Sequence, residues 1–222
     1  MTDDVPVTIR LASSADLDAV TTLHCASFTP EDHVPVMLGE RYVRATYRWQ
    51  ISGKQAYTLV AEMNNNIVGL VAVCDGPFTS PMFMTCLPVF FLSLLRNPRL
   101  LFRKKLWRRL FRRPDVSKSS RNIADYPGFA QMTIGAVDSS CRGKGIFPAL
   151  VEETKTYSKA RGSRAIRAGI YKSNTPSRRV FIKGGWIETP ELETADTVFY
   201  VSYLDARFPA ELGLEIPQEF TS

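Results

Sequence analysis

The chain has 222 residues, of which 45% are hydrophobic, and a formal net charge of +6. This composition supports a large folded core, and no uninterrupted apolar run reaches the roughly 20 residues that a membrane span needs. The acidic N-terminus lacks the pattern of a secretory signal, and the four cysteines show neither close pairing nor metal-ligand spacing. We therefore expect one reduced, cytoplasmic domain over residues 1–222, without a metal.

The positive charge is concentrated in one segment, residues 76–128. That segment holds eleven Lys and Arg against two Asp, a net charge of +9, which leaves −3 for the rest of the chain. The basicity therefore belongs to an insertion and not to the whole surface. This argues against a nucleic-acid partner, which would need a broader basic surface.

The first third of the chain predicts a strand over residues 5–11, a helix that starts near residue 17, and a second helix over residues 37–51. His24 lies inside the first helix, and we interpret it as a packing or surface residue. Two further strands, residues 56–62 and 67–75, are joined by three consecutive Asn, a residue that tolerates positive φ in tight turns. This pattern predicts a β-hairpin.

The insertion carries two apolar segments. Residues 82–95 are apolar on every side and contain Pro88, and residues 99–113 place apolar and aromatic side chains on one face and most of their cations on the other. A basic amphipathic helix of this kind is typical of a membrane interface. Two interpretations stay open for residues 82–113: contact with a membrane surface, or a lid packed over a binding site.

The most informative stretch follows the insertion. Residues 129–137 predict a strand and residues 146–161 a helix, and the junction reads Arg142-Gly143-Lys144-Gly145-Ile146. Glycine lets the backbone approach a ligand closely, and the unpaired N–H groups of a helix start attract anions. The junction therefore predicts a pyrophosphate cradle, although neither the dinucleotide fingerprint nor a Walker motif is present.

The rest of the chain completes the pattern. Residues 164–171 predict a strand, Asn174 opens a helix that ends at Gly184-Gly185, and residues 197–204 predict a final strand. Taken together, CRGKGI and YKSNTPSRRVFIKGGW resemble the GNAT superfamily of acyl-CoA N-acyltransferases. The match lies in Arg142-x-x-Gly145, in Asn174 and in the run 181–186. The resemblance implies an α/β (α+β) fold with a mixed, mostly antiparallel sheet flanked by helices, and a helical insertion between the third and fourth strands.

The resemblance also implies a site for acyl-CoA. The residues expected to contact it are Gly135, Ala136, Val137, Arg142, Gly143, Lys144, Gly145, Ile146, Asn174 and Phe181. Two positions depart from the family pattern: Phe147 replaces a small residue of the loop, and Phe181 stands where many members have a tyrosine that protonates the departing thiolate. A phenyl ring cannot donate that proton.

The general base cannot be assigned from the motif. Many relatives use a carboxylate on the strand before the loop, and residues 129–137 contain none. We retain Gln131, Tyr171, His33 and Glu31 as candidates, the last two because they lie in the loop that shapes the acceptor site in the resembled family.

The implied function is transfer of an acetyl group from acetyl-CoA to a primary amine of a small molecule, such as an amino sugar or its activated form, by direct attack in a ternary complex. One alternative is a long-chain N-acyltransferase that uses a longer acyl-CoA at the inner face of the membrane. Another is a non-catalytic acyl-CoA-binding protein. A homodimer is left open.

Overall fold

The computed structural model describes residues 6–31, 33–76, 78–104, 106–107 and 127–212. Seven strands form one sheet in the order β1-β2-β3-β4-β5-β7-β6, and only the β4–β5 pair is parallel. The mixed, mostly antiparallel sheet predicted from the sequence is confirmed. The strands are β1 (Thr8–Leu11), β2 (Ala56–Met63), β3 (Asn66–Asp75), β4 (Phe129–Val137), β5 (Ala165–Tyr171), β6 (Ile187–Glu188) and β7 (Thr197–Tyr203).

Helices cover both faces of the sheet. They are α1 (Leu17–Ser27), α2 (Val34–Leu38), α3 (Glu40–Ser52), α4 (Thr79–Arg96), α5 (Ile146–Ala160), α6 (Thr175–Lys183) and α7 (Phe208–Glu211). Side chains alternate across each strand, so that Leu59 of β2 joins the core beneath α5 while its neighbour Val60 joins the core beneath α1 and α3. This alternation gives the sheet two separate apolar layers.

Asparagine and glycine residues with positive φ decide the local geometry at two turns in the first third of the chain. Asn64 and Asn65 adopt φ of +52° and +59° in the tight turn of the β2–β3 hairpin, which confirms the predicted hairpin. The single helix predicted over residues 37–51 is wrong. It is divided into α2 and α3 at Gly39, whose φ of +99° a residue with a side chain rarely adopts.

The insertion begins with α4, which includes Pro88 and lies between β3 and β4 as predicted. Beyond it, Pro98–Phe102 is a 3-10 helix and Arg103 is extended. The amphipathic helix predicted to start at residue 99 therefore does not start there, and Leu100 of this 3-10 turn is buried in the cluster that contains residues of α4. Residue 105 and residues 108–113 of that prediction lie outside the described residues.

One side of α4 is packed and the other is exposed. Cys86, Phe90 and Leu94 lie in a core cluster with residues of α2 and α3. Met84, Phe91 and Leu95 lie on the opposite side and are 65%, 55% and 77% exposed. By length and composition alone α4 could cross a membrane. On its packed side, however, it contacts residues of α2 and α3.

Candidate active site

The first feature of the site is a split in the sheet between β4 and β5. The two strands pair in parallel from Phe129–Met132 with Ala165–Ala168 and then separate. Beyond the split, β4 stays paired with β3 and β5 with β7. Among the described strands, residues 133–137 therefore have no partner on their β5 side. The result is a wedge with one free backbone edge, which can accept an extended ligand as an added strand would be accepted.

The second feature is the glycine loop at the open end of this wedge. Gly143 and Gly145 adopt φ of +79° and +76°, and Gly145 is the N-cap of the 15-residue helix α5. No atom lies within 4 Å of the place where a β-carbon would stand at either glycine. The loop backbone is thus open to a ligand, and the partial positive charge of the helix start favours an anion there.

The wedge and the loop together enclose a cleft of about 640 Å³. Arg142 lines it, and its Nε donates to the carbonyl oxygen of Val137 at 3.3 Å. Asn174 also lines it, while its side-chain oxygen accepts from the Ser177 N–H and caps α6. The predicted cofactor residues that line the cleft are Gly135, Ala136, Val137, Arg142, Gly143, Gly145, Ile146 and Asn174. Lys144 is exposed on the same loop without lining it.

The structure corrects the assignment of Phe181 to the cofactor site. Its ring is fully buried, 4.9 Å from Trp186 and stacked on Tyr200 at 5.7 Å between ring centroids. The turn at Gly184-Gly185 folds Trp186 back onto Phe181, so the ring belongs to the core beneath the cleft. Phe147 takes the place above it and lines the cleft, with its ring 6.1 Å from that of Phe181.

A second cavity of about 200 Å³ adjoins the cleft along β4. From β4, Gln131, Thr133 and Ile134 line the cavity, and Gly135, Ala136 and Val137 line the cleft. Phe28 lines the cleft and is stacked on His33, which lines the cavity. The cavity lining is His24, His33, Pro35, Val43, Thr46, Tyr47, Gln50, Phe78, Met82, Gln131, Thr133 and Ile134. A group held in the cavity would therefore lie next to the inner end of a ligand in the cleft.

A hydrogen-bonded chain of three side chains forms one wall of this cavity. His24 Nδ1 lies 2.8 Å from the Tyr47 hydroxyl, and His24 Nε2 lies 3.1 Å from His33 Nδ1. Burial, and to a lesser extent the neighbouring His33, lowers the pKa of His24 to about 3. Burial also raises the pKa of Tyr47 well above its ordinary value. Both inner members of the chain are therefore uncharged at neutral pH.

The structure separates the four predicted base candidates. His33 and Gln131 line the cavity, and the Gln131 side-chain oxygen accepts from Arg167 at 2.8 Å and 3.2 Å. Tyr171 is half exposed at the end of β5, and Glu31 is exposed in the loop after α1; neither lines the cleft or the cavity. The neighbouring Asp32 lies outside the described residues.

Sequence reasoning missed His24, Tyr47 and Gln50 as site residues. A signal was present, since the chain has only two histidines and both meet here. Tyr47 and Gln50 are three residues apart on α3 and so point in one direction. That both side chains line the cavity depends on how α3 packs against α1, and the sequence pattern of one helix does not reveal this packing.

This fold, with its split parallel pair and glycine loop, is that of the GNAT N-acetyltransferases. An N-acetyltransferase of Staphylococcus aureus Mu50 superposes with a TM-score of 0.57 at 17% identity, over 90% of this chain and 99% of that one. The PaiA N-acetyltransferase of Thermoplasma acidophilum, in complex with coenzyme A, gives 0.58 at 10% identity, over 89% and 99%. A putative acetyltransferase of Salmonella typhimurium, with its cofactor acetyl-CoA, gives 0.53 at 16%, over 90% and 95%.

The resemblance stated from the sequence is thus confirmed at the level of the fold. No family model matches the sequence, and no curated protein matches it. Identities of 10–17% establish shared architecture. Activity has to be argued from the site itself.

Proposed function

We propose that this protein is an acyl-CoA-dependent N-acyltransferase. The observation that carries the proposal is the wedge between β4 and β5, which opens directly onto the glycine loop at the start of α5. A pantetheine arm would lie along Gly135–Val137, and the pyrophosphate would meet the backbone N–H groups of the loop. Two similar folds contain coenzyme A or acetyl-CoA, which supports this assignment.

The proposed reaction is direct attack of an amine on the thioester. The amine nitrogen bonds to the acyl carbon, the carbon–sulfur bond breaks, and CoA leaves as a thiolate that takes up a proton. Positioning of the two reactants side by side supplies much of the acceleration, and the free backbone edge of β4 offers N–H groups near the carbonyl oxygen. The buried phenyl ring of Phe181 has no proton to donate, so the proton that the CoA thiolate takes up comes from the amine or from water.

The acceptor in this proposal is a small molecule, because the cavity beside the cleft measures about 200 Å³. An amino sugar or its activated form is the class that the sequence suggested. Acetyl is the proposed acyl group, with the cytoplasm as the proposed location.

Calorimetric titration of the purified protein with free CoA, acetyl-CoA, octanoyl-CoA and palmitoyl-CoA tests this function. Binding of acetyl-CoA at least as tight as that of the longer esters, followed by CoA release in the presence of small amines, is the expected result. Binding without any release of CoA would favour a non-catalytic acyl-CoA-binding protein. No binding in the whole series would remove the proposal.

A second candidate is favoured by the exposed side of α4. Met84, Phe91 and Leu95 form a stripe along this helix, and the exposed cations Arg96 and Arg99 follow it directly. An apolar stripe beside cations suits an anionic lipid surface, where each cation contributes about 1 kcal/mol. We propose that the insertion attaches the protein peripherally to such a surface, where a long-chain acyl-CoA or a lipid-derived amine would be available.

The same helix also reaches the cavity, because Met82 and its N-cap residue Phe78 line it. The lid and the membrane interpretations are therefore compatible: one end of α4 closes the cavity and the outer side remains for lipid. A steep gain in affinity with acyl-chain length in the titration above would make the long-chain function the primary one.

A further inference from the structure

The cavity beside the cleft has a neutral lining. Among its lining residues that the structure describes, none is Asp, Glu, Lys or Arg, and about half are apolar. An ammonium ion or a phosphate placed there would lose its hydration without meeting an opposite charge, which is costly in free energy. The lining therefore disfavours an acceptor whose amine is charged. It also disfavours an acceptor whose body, meaning the rest of the molecule, carries an anionic group.

One polar atom in the cavity wall points to a ligand. The Gln50 side chain is 3% exposed, and its Nε2 donates to the Thr133 hydroxyl at 3.4 Å. Its Oε1 is buried and has no hydrogen-bond partner among the described residues. The Thr133 hydroxyl cannot serve it, because that hydroxyl donates to the carbonyl oxygen of Ala72 at 3.2 Å. A buried acceptor of this kind is matched by an N–H donor such as an amine.

The Tyr47–His24–His33 chain supplies a way to remove a proton from the cavity. His24 is 4% exposed, whereas His33 is only partly buried. The titratable groups around His24 are Tyr47 from α3, His33 from the loop, and Cys25 on its own helix, beside Glu40. From β3, Cys74 faces Gln50 and Thr133, and β4 carries no titratable side chain. His33, the partly buried imidazole of this chain, is the member from which a proton can pass to solvent.

We propose that this cavity is the acceptor site, that it takes a compact primary amine whose body carries no anionic group, and that the proton of the amine is delivered to His33. The inference rests on the proposed function and narrows its acceptor class, because it keeps a free amino sugar and excludes an activated form that carries phosphate. The ammonium proton converts His33 to imidazolium, whose Nδ1–H then donates to His24 Nε2, and His24 Nδ1–H donates to the Tyr47 oxygen. His33 passes this proton to solvent, so that the lining is neutral again before the reaction. The neutral nitrogen then attacks the thioester carbon, the carbon–sulfur bond breaks, and a second N–H proton leaves with the CoA sulfur.

In this scheme His33 is a catalytic residue and Gln50 holds the amine. His24 and Tyr47 are positioning residues that act through His33. The neutral cavity favours a neutral amine, and His33 is the base that produces it. A carboxylate on β4 is therefore not needed for this step.

Binding is measured first, without reference to turnover. Because the chain has two histidines, a protein labelled with nitrogen-15 in histidine shows two imidazole rings by NMR. Addition of 2-phenylethylamine should move the signals of both rings, and phenylalanine, which adds one carboxylate, should leave them in place at equal concentration. Ring signals that do not respond to any neutral amine would overturn the site assignment, even if acetyl-CoA is bound and turned over.

Turnover is measured with matched acceptors, namely 2-phenylethylamine against phenylalanine, and glucosamine against glucosamine 6-phosphate. We expect kcat/KM to be about 100-fold lower for the anionic member of each pair, as for a charge left without a partner. Equal use of the anionic members would overturn the neutral-body inference while leaving the acyltransferase function intact. Ring signals that move with neutral amines in a protein that never releases CoA would instead remove the proposed function and keep the amine site.

The proton route is tested with substitutions and a pH profile. His33→Asn should lower kcat/KM by about 100-fold at pH 7, which is a typical contribution of a general base. Activity should recover as the pH approaches the pKa of the amine, since free amine then enters without help. His24→Asn and Tyr47→Phe should give smaller losses with the same recovery. Gln50→Leu should raise the acceptor KM about tenfold, and Ser52→Ala, an exposed change on the same helix, should have no effect. A loss in His33→Asn that is equal at every pH would contradict the proton role.

Discussion

The ring of Phe147 lies against the backbone of Gly135, and a β-carbon at position 135 would stand only 2.6 Å from Phe147 Cε2. Gly135 is in β4 at the edge of the wedge, and Phe147 is in the first turn of α5. The resembled family has a small residue at the position of Phe147. Here the bulky ring of Phe147 enters the cleft, and Gly135 on β4 leaves room for it because glycine has no side chain. The same ring contacts the buried Phe181, so both departures from the family pattern are in contact.

The first prediction follows from this contact. Gly135→Ala should weaken CoA binding at least tenfold, because the new methyl group displaces the Phe147 ring into the cleft, where the pantetheine arm is proposed to lie. The double variant Gly135→Ala with Phe147→Ala should restore binding, since the clash is removed. Calorimetric titration with CoA measures both. Additive losses in the double variant would show that the ring does not mediate the effect.

A second prediction concerns the glycine loop. Gly145→Glu should abolish acyl-CoA binding while the protein stays folded, because a carboxylate would face the pyrophosphate at the start of α5. Gly162→Glu is the matched control: Gly162 has φ of +85° and open space around it, but it follows the other end of α5. Its backbone strain is comparable and its CoA affinity should be unchanged. Equal loss of affinity in both variants would place the effect in the fold and not in the cradle.

A third prediction uses the buried His24. Its pKa of about 3 in the folded protein is below the ordinary value of 6.5, so the unfolded chain binds more protons between these values. The contribution to the free energy of unfolding is fully present above about pH 6.5 and is lost as the pH falls toward 3, with a limiting slope of about 1.4 kcal/mol per pH unit. Urea unfolding at pH 7, 6 and 5 measures it.

The His24→Asn variant should show a flatter decline over this range, and Ser52→Ala should retain the original slope. The buried Asp16, whose pKa is lowered mainly by hydrogen bonds from Arg10, also loses its contribution in acid, but only below its ordinary value of 3.8. The two effects are therefore separated in pH. An unchanged slope in His24→Asn would mean that His24 is readily protonated in the folded state.

A fourth prediction concerns the exposed stripe of α4. Replacing Met84, Phe91 and Leu95 together by Ser should remove flotation of the protein with phosphatidylglycerol vesicles and leave CoA binding intact. Deleting residues 82–113 would be a poorer experiment, because Phe90 and Leu94 of α4 belong to a core cluster with Met37. Vesicles of phosphatidylcholine are the control, and equal binding of wild-type protein to them would contradict the role of the cations. Unaltered flotation of the triple variant would locate any lipid contact elsewhere.

Local chemistry made part of this protein predictable. Strand β4 has the predicted bounds, and α5 ends one residue earlier than predicted. These elements were readable because apolar periodicity, asparagines in a tight turn and glycines before a helix act within a few residues. The helix predicted over residues 37–51 is instead divided at Gly39, which is also a local effect, because glycine adopts a positive φ without the cost that a side chain brings.

The proposed acyl-CoA cradle and the proposed acceptor cavity differ in this respect. The cradle is built mostly from one continuous stretch, residues 135–147, so its residues could be named from sequence alone. The cavity brings together α1, the loop at His33, α3, the start of α4 and β4, and no pattern within one element reveals that His24, Tyr47 and His33 form one hydrogen-bonded chain. By itself the sequence determined the strand, the glycine loop and the helix that follow one another. Only the tertiary structure decided which buried polar groups meet beside them, because such contacts depend on how distant helices pack and not on the order of neighbouring residues.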